Sequence, residues 1–377
     1  MHINIIDKSD CCGCTACESV CPKDAISMTC DNLGFRYPIV NENLCINCEK
    51  CIKVCKFGPN NTRFSNFDDP EVYAIRCKDE YELTKSQSGG AFYVLSEYIL
   101  KNHGLIYGAI MSSDFTVFHT KADNRYDRNR MRGSKYVQSD LSGVFRDIKN
   151  ELKNDKKVLF VGTPCQVSGL RSYIGEKNDS NLYTIDLVCH GVPSPKAWKD
   201  YLEYLENKYK GKVQKVSFRD KKFGWKNAKE SYIINHKEVT TTSFLDLYFL
   251  HCLLRDCCSS CPFTNFNRIG DLTIGDFWGW DKKHKEYNDN KGISLLLINS
   301  EKGRFLFNNI KSEVYYIQSN LEDSKQNALS HPTAHNKLRE QFLNEYSLHG
   351  FKYVIKKYTQ EGWRLRWKTK IAKLLHY

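Results

Sequence analysis

Eight of the seventeen cysteines stand in two runs of one spacing, Cys11-x2-Cys14-x2-Cys17-x3-Cys21-Pro22 and Cys45-x2-Cys48-x2-Cys51-x3-Cys55. Three thiolates two residues apart wrap one face of a four-iron cube, and the fourth cysteine of each run crosses to the other cube. The pattern assigns Cys11, Cys14, Cys17 and Cys55 to one 4Fe–4S cluster and Cys45, Cys48, Cys51 and Cys21 to a second. Lys56 follows the second run where Pro22 follows the first, which leaves the ligand count intact. Zinc sites use four ligands in two pairs rather than two runs of four, so the cubane reading is preferred. Cys12 and Cys30 are surplus and are read as structural or incidental. The chain is long, and Met1 to Asp7 lack the basic start and apolar core of an export signal. Metal ligation in a reducing cytoplasm therefore outweighs disulfides.

A module of this kind moves single electrons and implies an acceptor in the remaining three hundred or so residues. Three downstream segments have the texture of site loops. Ser86-Gln87-Ser88-Gly89-Gly90 precedes a helical pattern, where glycines let backbone N–H groups approach an anion. Gly162-Thr163-Pro164-Cys165-Gln166 and Cys189-His190-Gly191 each follow a short buried strand, and ligands of open α/β sheets collect at such strand ends. Two cysteines there and the Cys258-x2-Cys261 pair make four thiols able to face one centre. Any one of them alone reads as a buried thiol.

These segments, with Asp186-Leu187-Val188-Cys189-His190-Gly191-Val192-Pro193-Ser194-Pro195, Phe218-Arg219-Asp220-Lys221-Lys222-Phe223-Gly224-Trp225 and Gly275-Asp276-Phe277-Trp278-Gly279, resemble the coenzyme F420 hydrogenase/dehydrogenase beta-subunit family. The resemblance runs to about residue 330, and a fused ferredoxin module also occurs in that family. It implies an FAD-binding α/β domain with a third 4Fe–4S cluster on Cys165, Cys189, Cys258 and Cys261, with Cys257 and Cys252 as competing ligands. It also implies a flavin lined by Ser88, Gly89, Gly90, Thr163, Arg219 and Lys221, joined by Lys135 and Tyr136. A flavin suits the chemistry, because it accepts electrons singly and passes them on as a pair. Arg219 and Lys221 are of the type that pairs with a pyrophosphate. Without the resemblance they read equally well as a solvated turn. His190 is the one candidate proton donor near the flavin; a role bonding its loop or tuning the cluster is favoured, since no base-and-substrate geometry is visible.

The elements that must position these residues alternate. Glu71–Arg76 reads as a strand, Ala91–Leu100 as an amphipathic helix, Val158–Gly162 and Tyr183–Val188 as strands, and Ser194-Pro195 as a capped helix start. The expected fold class is α/β (α+β overall), with a mostly parallel sheet. The expected domains are a ferredoxin-like module over 1–62, a flavin-binding α/β domain over 70–330 (parts about 70–150 and 155–330) and a basic helical tail over 331–377. The net charge is +12 from 56 basic and 44 acidic residues, with the excess at the C-terminus. The Gly362 to His376 stretch mixes Trp with cations, as an interfacial membrane anchor does, although a solvated terminal helix packed on the body is the favoured reading. No recognition motif supports nucleic-acid binding, and no transmembrane run is present.

The reading at this level is an iron–sulfur flavoprotein reductase. Its donor would be ferredoxin or another redox protein, and its acceptor an unidentified small molecule or protein. Relatives also occur in bacterial polysaccharide assembly. The rivals are an electron-transfer subunit without its own substrate, and a membrane-associated scaffold whose clusters are structural.

Overall fold

The computed structural model describes residues 2–4, 7–57, 66–175 and 179–362. The expected anchor helix therefore lies almost entirely outside the described residues. Among them are thirteen strands: β1 (Ile26–Cys30), β2 (Arg36–Val40), β3 (Glu71–Cys77), β4 (Leu105–Met111), β5 (Val117–Ala122), β6 (Val158–Gly162), β7 (Leu182–Leu187), β8 (Val213–Ser217), β9 (Glu230–Ile234), β10 (Lys237–Thr241), β11 (Leu272–Asp276), β12 (Ser294–Ile298) and β13 (Val314–Ser319).

Eight of these form one sheet in the order β13-β3-β12-β11-β7-β6-β4-β5. The pairs β4–β6, β6–β7 and β7–β11 are parallel. The other four pairs are antiparallel, so the sheet is mixed rather than mostly parallel. The difference arises because β3 pairs not with its neighbours in sequence but with β12 and β13, more than two hundred residues on. The parallel centre is apolar throughout. Val158, Leu159 and Phe160 of β6 are fully buried, and each such side chain contributes roughly 1.5–3 kcal/mol.

Two helices follow central strands directly. Pro164–Ile174 leaves β6 with Pro at its first turn, and the Thr163 amide donates to Gln166 Oε1 at 2.9 Å. Pro195–Tyr209 starts at Ser194, whose Oγ accepts from the Ala197 amide at 3.0 Å. β8, β9 and β10 make a separate antiparallel sheet over that second helix. Between residues 332 and 362 the helices Arg339–His349 and Phe351–Tyr358 bury Phe342, Val354 and Ile355 against the same core. No helix among the described residues is long and apolar enough to cross a membrane.

The N-terminal module has two five-residue helices, Ala16–Val20 and Lys50–Val54, and the β1–β2 hairpin. Its core is continuous with the larger domain: Ala16, Ile26 and Val54 share one apolar cluster with Val144, Phe145, Phe160 and Leu170. Close approach is specific. A Cβ added to Gly169 would stand 2.7 Å from the Cys14 sulfur. The hairpin turn also seats on the Pro195–Tyr209 helix, where Ser194 Oγ and the Lys196 amide both donate to the Leu33 carbonyl.

Candidate iron–sulfur and cofactor site

The two cysteine runs fold as copies of one loop-and-helix unit. Gly13 (φ 70°) and Thr15 (φ 66°) take left-handed backbone on either side of Cys14, and Asn47 (φ 52°) and Glu49 (φ 59°) do so on either side of Cys48. A left-handed non-glycine residue costs roughly 1–2 kcal/mol, and strain held at matched positions marks functional loops. The crossover appears in the electrostatics. Burial pushes the Cys17 thiol well up, and Cys14, Cys11 and Cys55 push it further, so Cys55 of the second run stands with the first three. Cys21 of the first run instead shares one pocket with Cys45, Cys48 and Cys51. Backbone amides donate to the sulfurs, Gly13 to Cys11 at 3.4 Å, Ala25 to Cys21 at 3.3 Å and Ile3 to Cys51 at 3.3 Å, the type of bond that stabilises cluster thiolates.

The third set draws on three distant segments. Cys165 opens the helix after β6, Cys189 follows β7 with the Gly191 amide donating to its sulfur at 3.4 Å, and Cys258 and Cys261 sit in and just beyond the tight helical turn Asp256–Ser260. Burial raises the Cys189 thiol well above its usual range, with Cys258, Cys165 and Cys261 adding to the effect. The four thiols therefore face one another. Cys252 does not join them; it is buried in the apolar cluster around Trp198 and Phe244. Cys257 stays beside Cys258 and donates to it. Among the described residues no three His, Cys, Asp or Glu side chains stand as they would around a single ion. Each set supplies the four thiols that a four-iron cube takes as ligands.

Cys12, surplus by spacing, has a definite place. Its buried thiol sits beside those of Cys14 and Cys165, and these two neighbours outweigh burial in raising its pKa. Cys12 is also the main cause that draws Cys165 down to about 7. One thiol thus spans the first and third sets.

Beside the third set lies a cavity of about 320 Å³, within the range of small-molecule and cofactor sites. It opens at the carboxyl ends of β6, β7 and β11, lined there by Gly162, Thr163, Cys189 and Gly275. Ser88, Gly90, Lys135, Tyr136, Arg219 and His190 also reach its wall. Gly89 and Lys221 do not. A Cβ on Gly89 would come 2.3 Å from the Ile75 carbonyl oxygen, so this glycine serves close packing on the sheet. Lys221 Nζ donates to the Leu83 and Ser88 carbonyls and braces the Ser88 loop from outside.

Arg219 is neither a solvated charge nor a free phosphate donor. It is buried, pairs with Asp276 at 2.6 Å and donates to the Trp225 carbonyl. Trp225 also donates to Asp276 and stacks on Trp278 at 4.8 Å. The two motifs around Arg219 and Asp276 thereby make one rigid wall. Lys135 is different: its Nζ bonds the carbonyls of Met131, Arg132 and Gly133, and burial alone lowers its pKa to about 7. His119 Nδ1 and Arg132 Nε, both on lining residues, are buried with no hydrogen-bond partner. An uncompensated ammonium, orphaned polar atoms and glycine-rich walls fit an anionic, planar ligand such as a flavin nucleotide. His190 Nε2 lies 2.7 Å from His251 Nε2, and burial with His251 lowers it to about 4. It is a neutral ring at neutral pH, bonded to His251 rather than to its own loop, and it lines the cavity.

Residues 155–324 match the family model for the C terminus of the coenzyme F420 hydrogenase/dehydrogenase beta subunit, and residues 4–27 match a 4Fe-4S binding domain. The chain joins the C-terminal domain of that oxidoreductase family's beta subunit to a 4Fe–4S module. A coenzyme F420-dependent sulfite reductase of Methanocaldococcus jannaschii is 25% identical over 334 residues, 81% of this chain and 47% of that protein. An uncharacterized protein of the same organism is 25% identical over 206 residues, 46% of this chain and 55% of its own length. The chain spans about half the length of the curated relatives it matches. A chain of the F420-reducing NiFe hydrogenase complex of Methanosarcina barkeri aligns at TM-score 0.49 and 17% identity, over 76% of this chain and 90% of that one.

Within the beta-subunit domain, two features of the site escape motif reading. Asp186 and Arg268 form a fully buried ion pair at 2.6 Å, and Asp186 also accepts from Thr273 Oγ1 and the Gly270 amide. Arg268 also donates to the Phe263 carbonyl, so the pair ties β7, which leads to Cys189, to the loop after Cys261. The sequence shows Asp186 in a motif but gives no sign of its partner eighty-two residues away. His251, the neighbour of His190, lies in no motif.

Proposed function

We propose that this chain is an iron–sulfur flavoprotein reductase, with clusters on Cys11/Cys14/Cys17/Cys55, Cys45/Cys48/Cys51/Cys21 and Cys165/Cys189/Cys258/Cys261, and FAD in the cavity. One observation carries the reading: Cys189 belongs both to the third thiol set and to the cavity wall, while Cys165 of that set touches the N-terminal module through Cys12. The clusters would supply single electrons, and the flavin would convert them to a two-electron reduction. Lys135, held by three carbonyls, places a buried positive charge in the wall that favours an anionic ligand. The Arg219–Asp276–Trp225 wall and the Lys221 brace hold the pocket's shape. Tyr136, packed against Tyr248 at 4.8 Å, offers an aromatic face. His190, a neutral ring bonded to His251, lines the cavity as a hydrogen-bonding group, and a proton for the reduced acceptor comes from solvent.

The donor is a small redox protein. Ile39, Leu44 and Ile46 are exposed around the Cys45 set, an apolar face of the kind that transient electron-transfer partners cover. The acceptor is a small conjugated molecule, with an F420-type deazaflavin and intermediates of polysaccharide assembly as the classes to screen. The chain covers only 47% of the sulfite reductase it resembles. That favours a second reading, an electron-transfer module serving a separate catalytic partner.

The test is anaerobic purification with iron, sulfide and flavin quantified. We expect about twelve iron atoms per chain, three cubes at four each, and one flavin. The dithionite-reduced protein is then offered small acceptors and candidate partner proteins. Re-oxidation by a small molecule supports the reductase, and re-oxidation only by a protein supports the module. A flavin-free preparation, or iron near eight atoms per chain, overturns the corresponding part of the proposal.

A further inference from the structure

Arg255 comes from the larger domain, three residues before Cys258, yet its side chain ends inside the N-terminal module. It is completely buried. Its Nε donates to the Cys11 carbonyl at 2.8 Å, Nη2 to the Arg36 carbonyl at 2.8 Å and to the Cys11 sulfur at 3.6 Å, and Nη1 to Gln138 Oε1 at 3.0 Å. The guanidinium lies 4.2 Å from the centre of the Tyr37 ring. Gln138 in turn donates to the Cys12 carbonyl at 2.9 Å. At the other end, the Arg255 carbonyl accepts from the Cys258 amide and its own amide donates to Val192, three residues beyond Cys189. Gly13 leaves room for it: a Cβ there would meet Nη1 at 3.0 Å.

A guanidinium removed from water needs negative charge beside it. Among the described residues no carboxylate is its hydrogen-bond partner; Cys11, Tyr37, Cys257 and Cys12 act on it most strongly, and its charge also reaches Cys165 and Cys258 of the third set. Thiolate sulfur at Cys11 is therefore its counter-charge. Hydrogen bonds and positive charge at a cluster's sulfurs favour the reduced, more negative state and raise its potential.

We propose that Arg255 is a positioning residue that locks the first thiolate set onto the third and raises the reduction potential of the cluster held by Cys11. The proposal rests on the cluster assignment above. Five donors in a planar fork suit the role, since one side chain bonds two carbonyls, an amide oxygen and a sulfur at once; a lysine ammonium on a flexible stem cannot span them. Cys12, between Cys14 and Cys165, marks the same junction from the other side.

The test compares the full chain with Arg255→Gln and Arg255→Lys, purified without oxygen. Iron is counted, and cluster midpoint potentials are followed by electron paramagnetic resonance in a dye-mediated titration. Arg255→Gln should retain iron and shift one N-terminal cluster to lower potential, with Arg255→Lys shifted less and the Cys45-set cluster least affected. Loss of about four iron atoms in Arg255→Gln, partly restored in Arg255→Lys, also supports the lock. Full iron with every potential at the parent value overturns it. So does equal loss of all iron in both variants, which would mark a general folding role. An iron-free parent protein sinks the cluster assignment itself, a separate outcome.

Discussion

The N-terminal sets and the third set hold the same ligand type by opposite means. In the first two, three of four cysteines lie within seven residues, and paired left-handed residues around Cys14 and Cys48 shape the loop locally. In the third, Cys165, Cys189 and the Cys258–Cys261 pair meet only because β6 and β7 are paired in parallel and Asp186 is tied to Arg268. Local nests depend on loop conformation, whereas the assembled nest depends on the tertiary fold. The assembled nest should therefore respond to substitutions far from any sulfur, and the local ones should not.

The largest effect expected is from Cys165→Ser with Cys189→Ser, which should lower iron from about twelve to about eight atoms and leave the N-terminal signals in place. Unchanged iron would remove the contrast altogether. Asp186→Asn comes next. Breaking a buried pair from one side costs about 3–5 kcal/mol, so a denaturant titration should show third-set iron released first while N-terminal iron persists. Simultaneous release would mean that the nests share one unit of stability.

A substitution outside both regions separates global stability from nest integrity. Glu230 is buried under Tyr201 and Tyr232, and burial raises its carboxyl from 4.5 to about 7. The folded state prefers the neutral acid. That preference is fully favourable below pH 4.5 and is lost as the pH rises through 7. Glu230→Gln should therefore equal the parent at pH 4 and exceed it at pH 8 by up to about 3 kcal/mol, with both kinds of nest unaffected. A smaller effect is expected at the cavity, which adjoins only the assembled nest. Lys135→Ala should weaken flavin binding about tenfold, the scale of one buried favourable charge. Parent affinity should fall as the pH passes 7, and that dependence should vanish in the variant. Equilibrium dialysis at pH 6 and 8 measures both.

The same contrast explains what the sequence disclosed. The cysteine runs were legible, because their chemistry needs fixed short spacing. The strands β6 and β7 and the capped helix at Ser194 were legible because apolar runs and cap residues act locally. The sheet's mixed character was not, because nothing near Glu71 announces that its partners are Ser294–Ile298 and Val314–Ser319. Ser88, Gly90, Lys135, Tyr136, Thr163 and Arg219 were placed at one cavity by resemblance. Their tasks were not: Arg219 is spoken for by Asp276, and Lys221 and Gly89 shape the loop from behind. Cys12 was set aside because spacing gave it no cluster, yet its neighbour Cys165 lies over one hundred and fifty residues away.

The close approach of Gly169 to Cys14 bears on how this protein could be rebuilt or have arisen. The first sixty residues are not a cartridge that can be clipped off, because Val144, Phe145 and Leu170 complete a shared oily seam with Ala16 and Val54. A shortened gene lacking that cartridge would present this seam to solvent and yield a sticky product. A foreign ferredoxin grafted in its place would have to match the notch at residue 169 before any of its electrons counted.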